Sequence, residues 1–128
     1  AQLGMPKARA ASLAGIAAAI IADPQLFDPR RDLDDAVARL KELPGIGEWT
    51  AQYIAMRALG ETDAFLAADI GLQRSVAKSG KRPTAQQLLA RAERWRPWRA
   101  YATLHLWMAE AAKLNGLAIK EKYDALTA

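Results

Sequence analysis

The chain has 128 residues, with 18 Lys and Arg against 14 Asp and Glu, one His and no Cys. This length predicts a single domain that can bury a hydrophobic core. The absence of Cys excludes disulfides, iron–sulfur clusters and thiolate zinc sites, and a lone His excludes a multi-histidine metal site. The net charge of +4 permits a nucleic-acid partner without requiring one.

Abundant Ala and scarce β-branched residues predict an all-α fold. Asp32, Asp69 and Thr84 lie where helix N-caps are expected. Gly116 is predicted to end the last helix and to leave a weakly amphipathic tail over 117–128. The spacing of apolar residues, prolines and glycines predicts six helices, over 6–22, 33–42, 48–59, 70–79, 85–94 and 98–115.

The first predicted helix contains an apolar run over 13–22, which is too short to span a bilayer. Two basic residues precede the run, so it also has the pattern of a signal-peptide core. The helical spacing of its apolar residues favours a buried helix face instead. These residues are Leu13, Ile16, Ala17 and Ile20.

The second and third predicted helices are joined by five residues that leave no room for a strand: Leu43, Pro44, Gly45, Ile46 and Gly47. Two glycines in such a turn leave backbone N–H groups uncovered. The positive end of the following helix points at the same place, so the segment suits one phosphate. An ordinary αα-hairpin uses the same turn residues, and spacing alone does not separate the two interpretations.

Several longer strings follow the hairpin in a fixed order: Glu-Trp-Thr-Ala over 48–51, Asp-x-Phe-Leu over 63–66, Asp69, and Arg-Trp-x-Pro-Trp-Arg-x-Tyr-Ala over 94–102. This order resembles the helix-hairpin-helix–GPD superfamily of DNA glycosylases, and within it bacterial 3-methyladenine DNA glycosylase II, which removes alkylated purines. The resemblance covers roughly residues 2–112. It implies a helical bundle containing a helix-hairpin-helix over 1–116, without the upstream part of the family's domain and its wedge residue.

Asp69 is the candidate catalytic residue. Hydrolysis of an N-glycosidic bond develops positive charge on the sugar, which a carboxylate beside C1′ stabilises while it orients or deprotonates a water. A helix N-terminus favours the charged form of such a carboxylate. Asp69 is also explained as a simple N-cap, and the two roles are compatible. The family resemblance implies the catalytic role, and it implies that Asp63 is a loop acid.

The resemblance places Trp49, Tyr53 and Trp107 around the flipped base. Aromatic faces attract electron-poor alkylated purines, by about 1–3 kcal/mol per stacked base. Core packing explains the same aromatic residues equally well from spacing. Lyases of the superfamily carry a Lys where this chain has Trp49, so the resemblance implies a monofunctional enzyme. Met108 and Ile70 stand where relatives carry aromatic residues, which implies a less aromatic pocket.

The hairpin residues, together with Thr50, are expected to hold a DNA phosphate. The resemblance adds a monovalent cation, Na⁺ or K⁺, bound by the backbone carbonyls of Lys41, Leu43 and Gly45, and implies no other cofactor. It implies duplex DNA with damaged purines as the partner, no membrane partner, and a cytoplasmic, nucleoid-associated monomer unless an N-terminal segment or a companion chain completes it.

A basic stretch runs from Arg74 to Arg99, with eight Lys and Arg against Glu93 alone, a balance of 8 − 1 = +7. The stretch predicts a basic face, although solvated helix surfaces give the same pattern. Trp95 and Trp98 are interpreted as packing residues at a helix junction. The alternatives to a glycosylase are a non-catalytic helix-hairpin-helix module, an inactive part of a glycosylase, and a helical interaction domain.

Overall fold

The computed structural model describes residues 4–28 and 32–127, with side chains described as far as residue 117. Within these residues the chain forms no strand, which confirms the all-α prediction, and no helix there is long and apolar enough to cross a membrane. The described helices are α1 (Lys7–Ala22), α2 (Leu33–Lys41), α3 (Glu48–Arg57), α4 (Ile70–Ser75), α5 (Ala85–Ala92), a short 3-10 turn (Glu93–Trp95) and α6 (Arg99–Thr127).

The chain divides into two compact units, Ala1–Phe65 and Leu66–Ala128. In the first unit, α2 packs on α3. The contact is apolar because the residues that α2 and α3 bury are Ala36, Val37, Leu40, Ala51, Ala55 and Met56. Arg39 pairs with Asp23, which ties α2 to the residue that ends α1. This packing fixes the two helices that flank the hairpin.

Helix α1 buries none of its residues, so the prediction of a buried apolar face is wrong. Leu13 is 56% exposed and Ile20 is 39% exposed, while Ile16 is half-buried. The reason is tertiary. The side of α1 that carries Leu13 and Ile16 lines an open apolar groove of about 490 Å³, to which the hairpin contributes Ile46 and α3 contributes Ile54.

In the second unit, α4 packs on α6 around the fully buried Leu72. Helix α5 begins with the predicted cap: Thr84 Oγ1 accepts from the amide of Gln87, and the Gln87 side chain accepts from the amide of Thr84. This reciprocal pair is a capping box. Helix α5 buries Leu88 and Ala92 in this unit's core.

Two helix ends differ from prediction by more than two residues. Helix α4 ends at Ser75 rather than at Ser79, because Lys78 and Lys81 pair through their backbones around a tight turn. Ser79 and Gly80 both take positive φ there, 49° and 76°, which is incompatible with a helix. Helix α6 continues through Gly116 to Thr127, because glycine lowers helix stability by only about 1 kcal/mol and does not by itself end a helix.

Candidate functional site

Most of the hairpin is exposed, and one of its side chains is buried. Ile46 is buried, and its amide donates to the Leu43 carbonyl at 3.1 Å. Pro44, Gly45 and Gly47 are exposed on either side of it. The buried isoleucine holds the turn against the first unit, and the glycine backbone on the outside is open to a ligand.

The two hairpin glycines are required for different reasons. Gly45 has φ +81°, and a Cβ at this position would collide with the hydroxyl of Ser12 on α1. Gly47 has an ordinary extended backbone, with φ −91° and ψ 177°, and a Cβ there would meet nothing within 4 Å. The fold therefore needs a glycine at 45 but tolerates other residues at 47.

Gly47 is the N-cap of α3, and no side chain caps this helix. The first-turn amides therefore receive no acceptor from a capping side chain, although most helices supply one. Because Gly47 has no side chain, nothing at this position covers these amides. An anion is the ligand that the exposed positive end of a helix favours.

An ion pair clasps the two ends of the hairpin. Lys41 Nζ lies 2.6 Å from Glu48 Oε2, so the last residue of α2 is joined to the first residue of α3. The hydrogen bond from Lys41 lowers the pKa of Glu48 against the opposing effect of partial burial, and Gln52 adds a second hydrogen bond. The Lys41 amine is thus engaged by a carboxylate.

We expect this clasp to make a small acid-dependent contribution to stability. Because the pKa of Glu48 is lowered in the folded chain, the contribution is present above the unfolded value of 4.5 and is lost as the pH falls through the folded value. Both partners are about half exposed, so its size is below about 1 kcal/mol. Glu48→Gln should therefore lower the melting temperature at pH 7. It should also reduce the difference in melting temperature between pH 7 and about pH 3. Glu42→Gln, at the exposed C-cap of α2, is the matched control, and an equal change in both variants would contradict the assignment.

Trp49 and Tyr53 form a stacked pair on one face of α3. Their ring centroids are 5.2 Å apart and their planes differ by 9°. Arg57, one turn further along, places its guanidinium 6.0 Å from the Tyr53 centroid. Trp49 is 40% exposed, so the pair is not part of a closed core and presents an accessible aromatic surface. Arg57 was absent from the sequence prediction, although its i+4 spacing from Tyr53 could have indicated it.

Asp69 is the N-cap of α4, as predicted. Its Oδ1 accepts from the amide of Leu72 at 2.9 Å and from Trp107 Nε1 at 2.9 Å. Two N–H donors therefore converge on one carboxylate oxygen at the N-terminus of a helix. Trp107 is half-buried on α6 and lies in the second unit with Asp69, whereas Trp49 and Tyr53 lie in the first unit.

The basic stretch separates into two parts. Arg96 and Arg99 both pair with Glu93, and Arg99 is buried, so two arginines share the one acidic residue of the stretch. The turn after α4 is different. Lys78, Lys81 and Arg82 are exposed, and no Asp or Glu occurs between residues 70 and 92. This turn therefore presents three exposed basic side chains in a segment of sequence that contains no acidic residue.

Several other predicted features have simple outcomes. Thr50 is half-buried and lines the apolar groove beside α1. Ile70 and Met108 are 52% and 69% exposed. Trp98 is 57% exposed and packs edge-on against Tyr101. Among the described residues, no cluster of three His, Asp or Glu side chains could hold a metal ion.

Comparison with known proteins gives a consistent result. A protein of Mycobacterium tuberculosis described as a probable bifunctional transcriptional activator/DNA repair enzyme AlkA is 40% identical over 120 residues, which are 94% of this chain and 24% of that protein. DNA-3-methyladenine glycosylase 2 of Escherichia coli is 39% identical over 108 residues, covering 84% of this chain and 37% of its own length. No family model matches the chain.

One solved structure is also similar to the chain. The 3-methyladenine DNA glycosylase Mag1 of Schizosaccharomyces pombe, in complex with abasic DNA, superimposes with a TM-score of 0.73 at 27% identity. The alignment covers 81% of this chain and 53% of that one. The all-α fold, with a glycine hairpin followed by an N-capping aspartate, is thus similar to the fold of a 3-methyladenine DNA glycosylase. The chain is similar in sequence to DNA-3-methyladenine glycosylase 2, and it spans about a quarter to somewhat over a third of the length of the curated relatives above.

Proposed function

We propose that the chain acts as a monofunctional DNA glycosylase, which hydrolyses the N-glycosidic bond of alkylated purines of the 3-methyladenine type in duplex DNA. The observation that carries the proposal is Asp69, whose carboxylate oxygen is held by two N–H donors at the N-terminus of α4. The kinship with 3-methyladenine glycosylases supports the substrate class.

In this reaction the bond between the sugar C1′ and the base nitrogen breaks, and the electron pair leaves with the base. The Asp69 carboxylate stabilises the positive charge that develops on the sugar. A water then adds its oxygen to C1′, and its proton is accepted by Asp69 or by solvent. The products are a free purine and an abasic site. A base that already carries positive charge is a good leaving group. Such a substrate suits a site in which one carboxylate stabilises the charge on the sugar.

The stacked pair on α3 supports recognition of an electron-poor base. Trp49 offers an exposed aromatic surface, and Tyr53 braces it from one side at 5.2 Å. A cationic purine gains both stacking and cation–π attraction on such a surface. Base flipping brings the damaged nucleotide out of the duplex, and a base that pairs poorly costs least to extrude.

The hairpin and the basic turn support binding to the DNA backbone. The uncapped N-terminus of α3 suits one phosphate, and Gly47 leaves room for its approach. Lys78, Lys81 and Arg82 add positive charge in the second unit. The carbonyl oxygens of Lys41, Leu43 and Gly45 are the atom type that a Na⁺ or K⁺ ion prefers, and the Leu43 carbonyl carries one hydrogen bond in the turn, which leaves it a second lone pair. When bound, such an ion would add positive charge beside the phosphate.

The absence of lyase chemistry is supported by the residues near the hairpin. A lyase needs an amine that attacks C1′ and forms a Schiff base. Trp49 occupies the position of the lyase lysine, and the neighbouring Lys41 amine is paired with Glu48 at 2.6 Å. We therefore expect no covalent adduct when the chain is incubated with damaged DNA and borohydride. A trapped adduct would show an amine nucleophile and contradict the monofunctional assignment.

A second candidate is a non-catalytic helix-hairpin-helix module. It is favoured by one observation: the complete hairpin lies in the first unit, while Asp69 lies in the second. The deciding experiment measures both release of methylated purines from alkylated duplex DNA and salt-dependent binding to the same duplex. Release identifies the glycosylase. Duplex binding that weakens with salt, without any release of purines, would identify the non-catalytic module. No binding to the duplex would contradict both candidate functions.

A further inference from the structure

Trp107 and Asp69 are joined within the second unit although 38 residues separate them in the sequence. Trp107 Nε1 donates to Asp69 Oδ1 at 2.9 Å, and the Leu72 amide donates to the same oxygen at 2.9 Å. An indole N–H is a donor only. The bond therefore has one direction, with Trp107 Nε1 as the donor and Asp69 Oδ1 as the acceptor.

The first turn of α4 packs closely around this pair. A Cβ at Gly71 would lie 3.0 Å from Asp69 Oδ1 and 3.5 Å from Trp107 Cδ1. Asp69 and Trp107 are both half-buried. The carboxylate is thus limited in its rotation from two directions: the backbone of its own helix holds it on one side, and the indole from α6 holds it on the other.

We propose that Trp107 is a positioning residue that acts through Asp69. Its indole N–H fixes the carboxylate in one orientation and keeps Oδ1 as an acceptor, so that Asp69 is already aligned when charge develops on the sugar. A catalytic group held in place before the reaction avoids the cost of ordering it in the transition state. The proposal rests on the proposed function, and it differs from the base-stacking role that the sequence resemblance implies for Trp107.

The kinetic test separates the two roles. Trp107→Phe keeps an aromatic ring but removes the N–H donor. Positioning predicts that kcat for release of methylated purine falls about 10-fold, the size expected for one charge-assisted hydrogen bond, while KM changes less than about twofold. Stacking predicts a nearly normal kcat for Trp107→Phe and a raised KM for Trp107→Leu. Trp98→Phe is the matched control, since this exposed tryptophan lies just before the same helix.

A second measurement does not depend on activity. The Trp107 indole N–H signal, assigned by its loss in Trp107→Phe, should exchange slowly with solvent and lie in the hydrogen-bonded region of a proton–nitrogen NMR spectrum. Asp69→Ala should shift it and speed its exchange, whereas Asp63→Ala should leave it unchanged. If Asp69→Ala changes neither the shift nor the exchange rate of the indole signal, the proposal is overturned. An unchanged kcat in Trp107→Phe also overturns it. A chain that releases no base but keeps the responsive signal contradicts the proposed function, and Trp107 is then only a structural partner of Asp69.

Discussion

Asp69→Asn is expected to abolish base release while leaving the fold and duplex binding nearly unchanged. The asparagine Oδ1 still accepts from the Leu72 amide and from Trp107 Nε1, both at 2.9 Å in the native chain. Asparagine is also as good an N-cap as aspartate. The variant therefore removes the negative charge and little else. We expect release of methylated purines to fall by at least about 100-fold, the size typical of losing a group that stabilises charge in the transition state.

The control for this experiment is Asp63→Asn, which removes a carboxylate from the half-buried connection before α4. The rate of base release by this variant should remain within about threefold of that of the native chain, which corresponds to less than about 1.4 kcal/mol in activation free energy. Melting temperature and affinity for abasic duplex DNA are measured for both variants. Persistent release by Asp69→Asn, or an equal loss in Asp63→Asn, would reassign the catalytic carboxylate.

Gly47→Asp is expected to stabilise the chain and weaken its binding to DNA, two effects of opposite sign. The backbone at 47 is one that aspartate adopts, and its side chain would have open space. Aspartate at an N-cap accepts from the first-turn amides and complements the helix dipole, which contributes about 0.5–1 kcal/mol. The same charge would repel a phosphate at this position, so we expect the Kd for duplex DNA to rise at least about 10-fold at low salt.

The matched variant is Gly47→Asn, which has almost the same shape and caps the helix without the charge. The difference in Kd between the two variants measures electrostatic repulsion alone, and it should shrink as salt is added. Fluorescence anisotropy with a labelled duplex gives the Kd, and thermal melting gives the stability. Equal affinities for Gly47→Asp and the native chain would remove the hairpin from the DNA interface.

These two variants depend on features that the sequence indicated to different degrees. The turn over 43–47 and the cap at Asp69 are local: glycine, proline and aspartate act on the backbone within a few residues of themselves. The same-face placement of Trp49 and Tyr53 follows from the i+4 geometry of any helix. Local rules were therefore sufficient for the helical class, the hairpin and the N-capping aspartate.

Boundaries were less predictable where a neighbouring segment competes for the backbone. Helix α4 ends at Ser75 because the pairing of Lys78 with Lys81 offers its own hydrogen bonds and positive φ angles. The arrangement of charges within the basic stretch also depends on the fold. Its total charge is visible in the sequence, but the pairing of Arg96 and Arg99 with Glu93 is visible only once the chain is folded.

The sequence by itself determined the all-α class, the glycine hairpin and the carboxylate at the start of α4, because each depends on backbone preferences over a few residues. Only the tertiary structure decided what lies beside them. It brought Trp107 to Asp69 across 38 residues, placed Ser12 against Gly45, and left the apolar face of α1 largely uncovered. Such contacts depend on how whole helices pack. Helix packing brings together residues that are far apart in the chain, and their spacing in the sequence does not reveal the contact.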